Sequence, residues 1–106
     1  MEQRRHERVD AKPGDISHPS YQCLDISESG MKLSADNAVR KGLKFELTLL
    51  ALDAPLPLKC EVMWCRKPSS IYEHGFYFGA RFIDISISNQ LKIRELIQQR
   101  SESNNR

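Results

Sequence analysis

At 106 residues the chain has the length of one domain, able to bury roughly 60–70% of its unfolded surface around one modest core. Hydrophobic residues at 40% and charged residues at 28% exclude an intrinsically disordered chain. A formal charge of only +2 argues against a domain built chiefly to neutralise duplex DNA, and the positive charge is instead gathered near the N-terminus.

Residues 1–19 are polar and broken by Pro13-Gly14 and Pro19. They read as an extended, flexible arm over residues 1–12, with a short strand near Arg8-Val9-Asp10. Residues 20–26 form the first full strand. Ser27 to Gly30 turns the chain: glycine reaches backbone conformations closed to other residues, and Ser and Asp side chains bond nearby backbone groups. Met31-Lys32-Leu33 continues as a short strand, and Asp36 to Gly42 reads as a loop or a single helical turn.

From Lys44 to Leu49 the pattern alternates strictly. Phe45, Leu47 and Leu49 share one face; Lys44, Glu46 and Thr48 share the other, as in a half-buried strand. Asp53-Ala54-Pro55 is a turn. Residues 58–64 alternate again, with Leu58, Cys60, Val62 and Trp64 on the inner face. Arg66 to Gly75 reads as a hairpin loop. Residues 76–82 form the last long strand, with Phe76, Phe78, Ala80 and Phe82 inward and Tyr77 and Arg81 outward.

The period changes at Ile87. Leu91, Ile93, Leu96 and Ile97 lie on a helical stripe, Ser86 or Ser88 caps the start, and the helix runs from about Ser88 to Gln99. The tail, residues 100–106, is expected to fray. Five or six short strands separated by turn signals predict a mainly β fold, a small antiparallel barrel over residues 13–99 with a terminal helix that covers an open end or packs on a neighbour. Closure also removes exposed sheet edges.

Cys23, Cys60 and Cys65 are odd in number and form no C-x-x-C. Five residues apart in one strand, Cys60 and Cys65 point to opposite faces, so neither a disulfide framework nor a metal site is expected and a reducing cytoplasm fits. The N-terminus has charge but no apolar stretch behind it. No apolar run approaches the ~20 residues that span a bilayer.

Two clusters carry chemistry. Arg4, Arg5 and Arg8 present planar forks that suit phosphate oxygens and stack on purines; the plain alternative is a solvated basic tail. Asp25, Ser27 and Gly30 offer a carboxylate for a guanine edge or an arginine, a hydroxyl, and close access to the backbone; the plain alternative is an ordinary hairpin turn. Arg81 either adds a third cation to a site on the outer wall or meets a carboxylate across the strands. Trp64 either stacks on a base or, as its alternation favours, takes a core position. His6, His18 and His74 are scattered in loops as solvated histidines. No nucleophile–base pairing and no glycine-rich phosphate loop of the P-loop or dinucleotide type is present, so no catalytic residue is assigned.

Arg4-Arg5-His6-Glu7-Arg8-Val9 followed by Leu24-Asp25-Ile26-Ser27-Glu28-Ser29-Gly30-Met31-Lys32-Leu33 resembles the R-x-x-x-R and D-x-S-x-x-G signature of the PilZ family, bacterial receptors for cyclic di-GMP. Gly42 before an alternating strand, Val62-Met63-Trp64 and Gly79-Ala80-Arg81-Phe82 extend the resemblance over about residues 4 to 99. It implies a six-stranded β-barrel with a terminal helix that binds cyclic di-GMP on its outer surface. By that resemblance Arg4 and Arg8, with Arg5 nearby, grip phosphates and stack on guanines, and Asp25, Ser27 and Gly30 meet a guanine. The function expected is a stand-alone receptor that is not an enzyme, needs no cofactor, and signals to an unidentified protein effector as its arm orders. It would be a monomer or weak homodimer, cytoplasmic, with no DNA partner and no membrane insertion. An adaptor that does not bind the nucleotide, and a single-strand nucleic-acid binder, are the alternatives.

Overall fold

A computed structural model describes residues 7–68 and 75–104. Seven strands form one sheet: β1 (Arg8–Asp10), β2 (Ile16–Ser17), β3 (Tyr21–Ser27), β4 (Gly30–Ala35), β5 (Lys44–Leu49), β6 (Leu56–Arg66) and β7 (Phe76–Ile83), followed by one helix, α1 (Ile87–Asn104). The spatial order is β1-β3-β4-β7-β6-β5-β2, and all neighbours are antiparallel. Seven strands replace the expected six because the polar N-terminal stretch pairs twice. β1 joins β3 at one edge and β2 joins β5 at the other.

That double pairing forces the sheet to curl. The Ala11 amide donates to the Leu24 carbonyl at 3.0 Å, and the Leu50 amide donates to the Asp15 carbonyl at 2.6 Å. Four peptide steps separate Ala11 from Asp15, a reach of at most about 14 Å. The two edges therefore lie close together, bridged by a turn around Pro13-Gly14 in which the Asp15 amide donates to the Lys12 carbonyl at 3.0 Å.

The inward faces carry the alternating apolar residues. Ile26, Met31, Leu33, Leu49, Cys60, Val62 and Phe78 are essentially removed from solvent. Ile93, Leu96 and Ile97 of α1 are buried too, and the helix packs against β1 and β3. Leu91, expected on the same stripe, is 49% exposed. The helix starts one residue before the expected Ser88. Ser86 is the cap, its Oγ accepting the Asn89 amide at 3.1 Å. The segment expected to fray stays helical to Asn104. Arg100 is tied to the Asp15 carboxylate at 2.6 and 2.9 Å, and the Ser101 hydroxyl donates to Glu7.

Two irregularities reset the alternation. The pairing of β3 with β4 shifts between Cys23 and Asp25, and that of β6 with β7 shifts between Val62 and Trp64. An extra residue in one strand moves every later side chain to the other face. Trp64 therefore stands opposite Gly79 on the outer face, not in the core, and Cys65 stands opposite the inward Phe78. Cys60 and Cys65 thus share the inner side, contrary to the opposite faces that a regular strand predicts. No cluster of His, Cys, Asp and Glu suited to a metal ion occurs among the described residues.

His18 is not solvated as expected. Its ring stacks on Tyr21 at 4.0 Å between centroids, and its Nδ1 accepts the Ser20 amide at 3.0 Å. His6 and His74 lie outside the described residues. Among the described residues no helix is long and apolar enough to cross a membrane.

Candidate functional site

Strand alternation gathers the outward residues of four strands and the bulged segment of a fifth. Arg8 on β1 faces Ser27 on β3; Asp25 faces Lys32 on β4; Lys32 faces Gly79 on β7, which in turn faces Trp64 on β6. One ladder step along, Gly30 faces Arg81, and Arg81 faces Glu61. Arg8, Asp25, Gly30, Lys32, Trp64 and Arg81 together line an open cleft of about 480 Å³ on this outer wall.

Arg8 is the centre of the clasp. Its Nε donates to Asp25 Oδ1 at 2.7 Å, its Nη2 lies 2.7 Å from the same oxygen, and its Nη1 donates to Ser27 Oγ at 3.3 Å. A guanidinium has five N–H donors, so these contacts leave donors over for an anion in the cleft. The Arg8 side chain is still 46% exposed.

Ser27 is fully buried. Its Oγ accepts the amides of Ser29 and Gly30, each at 3.2 Å, and lies 3.3 Å from the Gly30 carbonyl. The serine of the D-x-S-x-x-G turn is thus the bracket that shapes the turn and steadies Arg8. Gly30 has a related role. It does not sit at a positive φ, as the turn pattern suggests. A Cβ there would stand 2.2 Å from the Ala80 carbonyl oxygen, so glycine is required for β4 and β7 to pair this closely.

Arg81 reaches the cleft but is engaged across the strands, its Nε and Nη2 donating to Glu61 Oε1 at 3.0 and 2.7 Å. Arg4 and Arg5 lie outside the described residues. The structure adds Trp64 and Lys32 to the wall. The Trp64 indole lies over Gly79, where a Cβ would fall 2.3 Å from the indole nitrogen, and the Arg66 guanidinium sits 5.1 Å from its ring centre. Lys32 stands 5.3 Å from the Tyr77 ring centre. Strand alternation in Met31-Lys32-Leu33 already points Lys32 outward. No local pattern reveals Trp64, because the bulge that turns it out depends on the partner strand. Cys23, beside Asp25 on β3, is no nucleophile: burial, reinforced by the charges of Asp25 and Asp15, pushes its thiol up to about 12.

A family model of the PilZ domain matches residues 2–99. The chain belongs to the PilZ domain family. Two solved PilZ-type structures share its fold. The PilZ domain of YcgR from Escherichia coli, determined with c-di-GMP, superposes with a TM-score of 0.71 at 15% identity, covering 97% of this chain and 95% of that one. The inhibitor of motility MotI/DgrA from Bacillus subtilis superposes with a TM-score of 0.74 at 16% identity, covering all of this chain. This PilZ chain spans 55% of the MotI/DgrA chain. No curated protein matches the sequence.

Proposed function

We propose that this PilZ domain is a receptor for cyclic di-GMP that carries out no catalysis and passes occupancy to a protein partner through its N-terminal arm, residues 1–12. The observation that carries the reading is the Arg8–Asp25–Ser27 clasp opening onto the cleft on the outer wall. At about 480 Å³ that cleft is within the roughly 300–1,000 Å³ usual for small-ligand sites. Its chemistry fits two phosphates and two purines. Arg8, with Arg4 and Arg5 from the preceding residues, supplies forks for phosphate oxygens and planes for stacking. Asp25 accepts from a guanine edge while holding Arg8. Ser27 and Gly30 keep the turn in shape for the ligand. Arg81 and Lys32 add positive charge at the far side, and Trp64 offers an aromatic wall. The solved YcgR domain with c-di-GMP and the motility inhibitor MotI/DgrA support receptor and partner roles by likeness of fold.

One observation favours a second reading. Both described arginines of the wall, Arg8 and Arg81, are already paired with carboxylates, as expected of an adaptor that does not take the nucleotide. Calorimetric titration of cyclic di-GMP into wild type and Arg8→Ala separates the two. The receptor reading expects saturable heat from wild type, weakened by added salt, and its loss in Arg8→Ala. No heat from wild type at tens of micromolar protein refutes it; equal binding by both removes Arg8 from the site.

A further inference from the structure

No residue of the helix lines the cleft, yet the helix is bolted to both halves of the site. Near its middle, Arg94 Nε donates to Glu28 Oε1 at 3.1 Å and Nη2 to Oε2 at 2.8 Å. Glu28 stands inside the D-x-S-x-x-G turn, between Ser27 and the Ser29 and Gly30 amides that Ser27 holds. Near its end, Arg100 grips Asp15 with a second two-pronged contact and lies 3.5 Å from the Asp10 carbonyl at the end of β1. Ser101 reaches Glu7, the residue before Arg8. One helix thus fastens the turn at one point and the N-terminal segment around the arginine-bearing strand at three, Glu7, Asp10 and Asp15.

The spacing on α1 explains how. Six residues separate Arg94 from Arg100, a rise of about 9 Å. Arg100 follows Leu96 and Ile97 by four and three positions, so it prolongs the buried stripe, and its side chain is only 15% exposed. Arg94 follows Ile93 directly and flanks the same stripe from the side, at 51% exposure. The apolar stripe anchors the helix on β1 and β3, and the two guanidiniums then fix their carboxylates in two-point geometry, which a lysine cannot reproduce.

We propose that Arg94 and Arg100 are positioning residues for the nucleotide site, and that α1 is the element through which occupancy of that site is read. Arg94 sets the attitude of the Ser27–Gly30 turn through Glu28, and Arg100 sets the lie of β1 through the Asp10 carbonyl at its end and through Asp15, which holds the crossover that follows it. Coupling of this kind is reciprocal: whatever docking of α1 contributes to ligand affinity, the ligand returns as tighter docking of α1. The ligand half of this inference rests on the cyclic di-GMP reading above; the positional half stands without it.

The test is an amide proton–nitrogen spectrum of the full chain as wild type, Arg94→Ala and Arg100→Met, without ligand and then with cyclic di-GMP. Without ligand, Arg94→Ala shifts the Ser29 and Gly30 amides, Arg100→Met shifts Asp10 and Ala11, and the β5 amides of Lys44–Glu46, away from the β2 pairing, stay in place in both. Unmoved Ser29 and Gly30 amides in Arg94→Ala overturn the proposal. So does a shift spread evenly over β5, which marks general loosening. With cyclic di-GMP, affinity falls by up to about fivefold in Arg94→Ala, the range of a single exposed ion pair. Hydrogen exchange of the Ile93–Ser101 amides slows in wild type on ligand addition, and slows less in the variant. Unchanged exchange in ligand-saturated wild type overturns α1 as the reporter. A wild type that binds no cyclic di-GMP refutes the receptor reading, and the ligand-free spectra still decide the positional claim.

Discussion

Replacing Arg100 by methionine should be the most damaging loss of any ion pair described on α1. Arg100 and Asp15 are the best-buried ion pair described, with side-chain exposures of 15% and 7%. Two short hydrogen bonds join them, and the Lys12 amide donates to Asp15 Oδ2 at 2.7 Å. Methionine keeps the length and the packing but strands the carboxylate. Breaking a fully buried pair from one side costs about 3–5 kcal/mol; the residual access of water to Arg100 places this case near 2–3 kcal/mol. For a domain of about 100 residues that lowers Tm by roughly 10–20 °C. Urea unfolding followed by Trp64, the sole tryptophan, measures it directly.

The pH dependence supplies a second handle on the same pair. Burial alone would push the Asp15 carboxyl up. The Arg100 hydrogen bond, the Lys12 amide and the charges of Arg100 and Lys12 outweigh it and hold the group below its usual value. A carboxylate lowered by folding stabilises the native state above its unfolded pKa, about 3.9, and that stabilisation is lost as pH falls through the lower folded value. The gap between wild type and Asp15→Asn should therefore be full at pH 7 and close progressively below about pH 4. Arg100→Met within about 0.5 kcal/mol of wild type at pH 7 would refute the reasoning.

Three further outcomes are expected. Gly30→Ala drives a methyl into the Ala80 carbonyl and should cost about 1–3 kcal/mol in urea melts; a neutral effect means that β4 and β7 can separate freely. The His18 imidazole, lowered by burial, should titrate below 6.5 in a proton NMR series. Because its neutral form is favoured only in the fold, stability should decline as pH falls below about 6.5, and a midpoint at or above that value contradicts the stacked, Ser20-bonded ring. The Cys23 and Cys60 thiols, both pushed up to about 12 by burial, should resist alkylation at pH 8 in the native chain and react once unfolded; rapid native-state labelling of either, read by mass spectrometry, would show that the inner face of the sheet opens.

The amino-acid order alone settled whatever depends on neighbours a few positions apart. Phe45, Leu47 and Leu49, or Phe76, Phe78, Ala80 and Phe82, announce their faces by alternation, because a strand's side chains switch sides at every step. Ile93, Leu96 and Ile97 announce a helix, and Ser27, with Gly30, a turn. The arginine and D-x-S-x-x-G motifs likewise lie in short stretches, so Arg8, Asp25 and Ser27 were legible as one candidate site.

Tertiary structure decided everything that depends on which strand lies beside which. Trp64 and Cys65 changed faces because β6 bulges against β7, and no residue within β6 encodes that shift by itself. Arg81 met Glu61 because the register of two strands put them side by side, twenty residues apart. Gly30 proved necessary for the approach of Ala80, fifty residues away, not for its own backbone angles. Asp15 and Arg100, 85 residues apart, became partners only when curling brought the Pro13-Gly14 crossover under the last turns of α1. Periodicity is a local property of the chain, whereas register, bulges and ion pairs are fixed by the free energy of packing distant segments together.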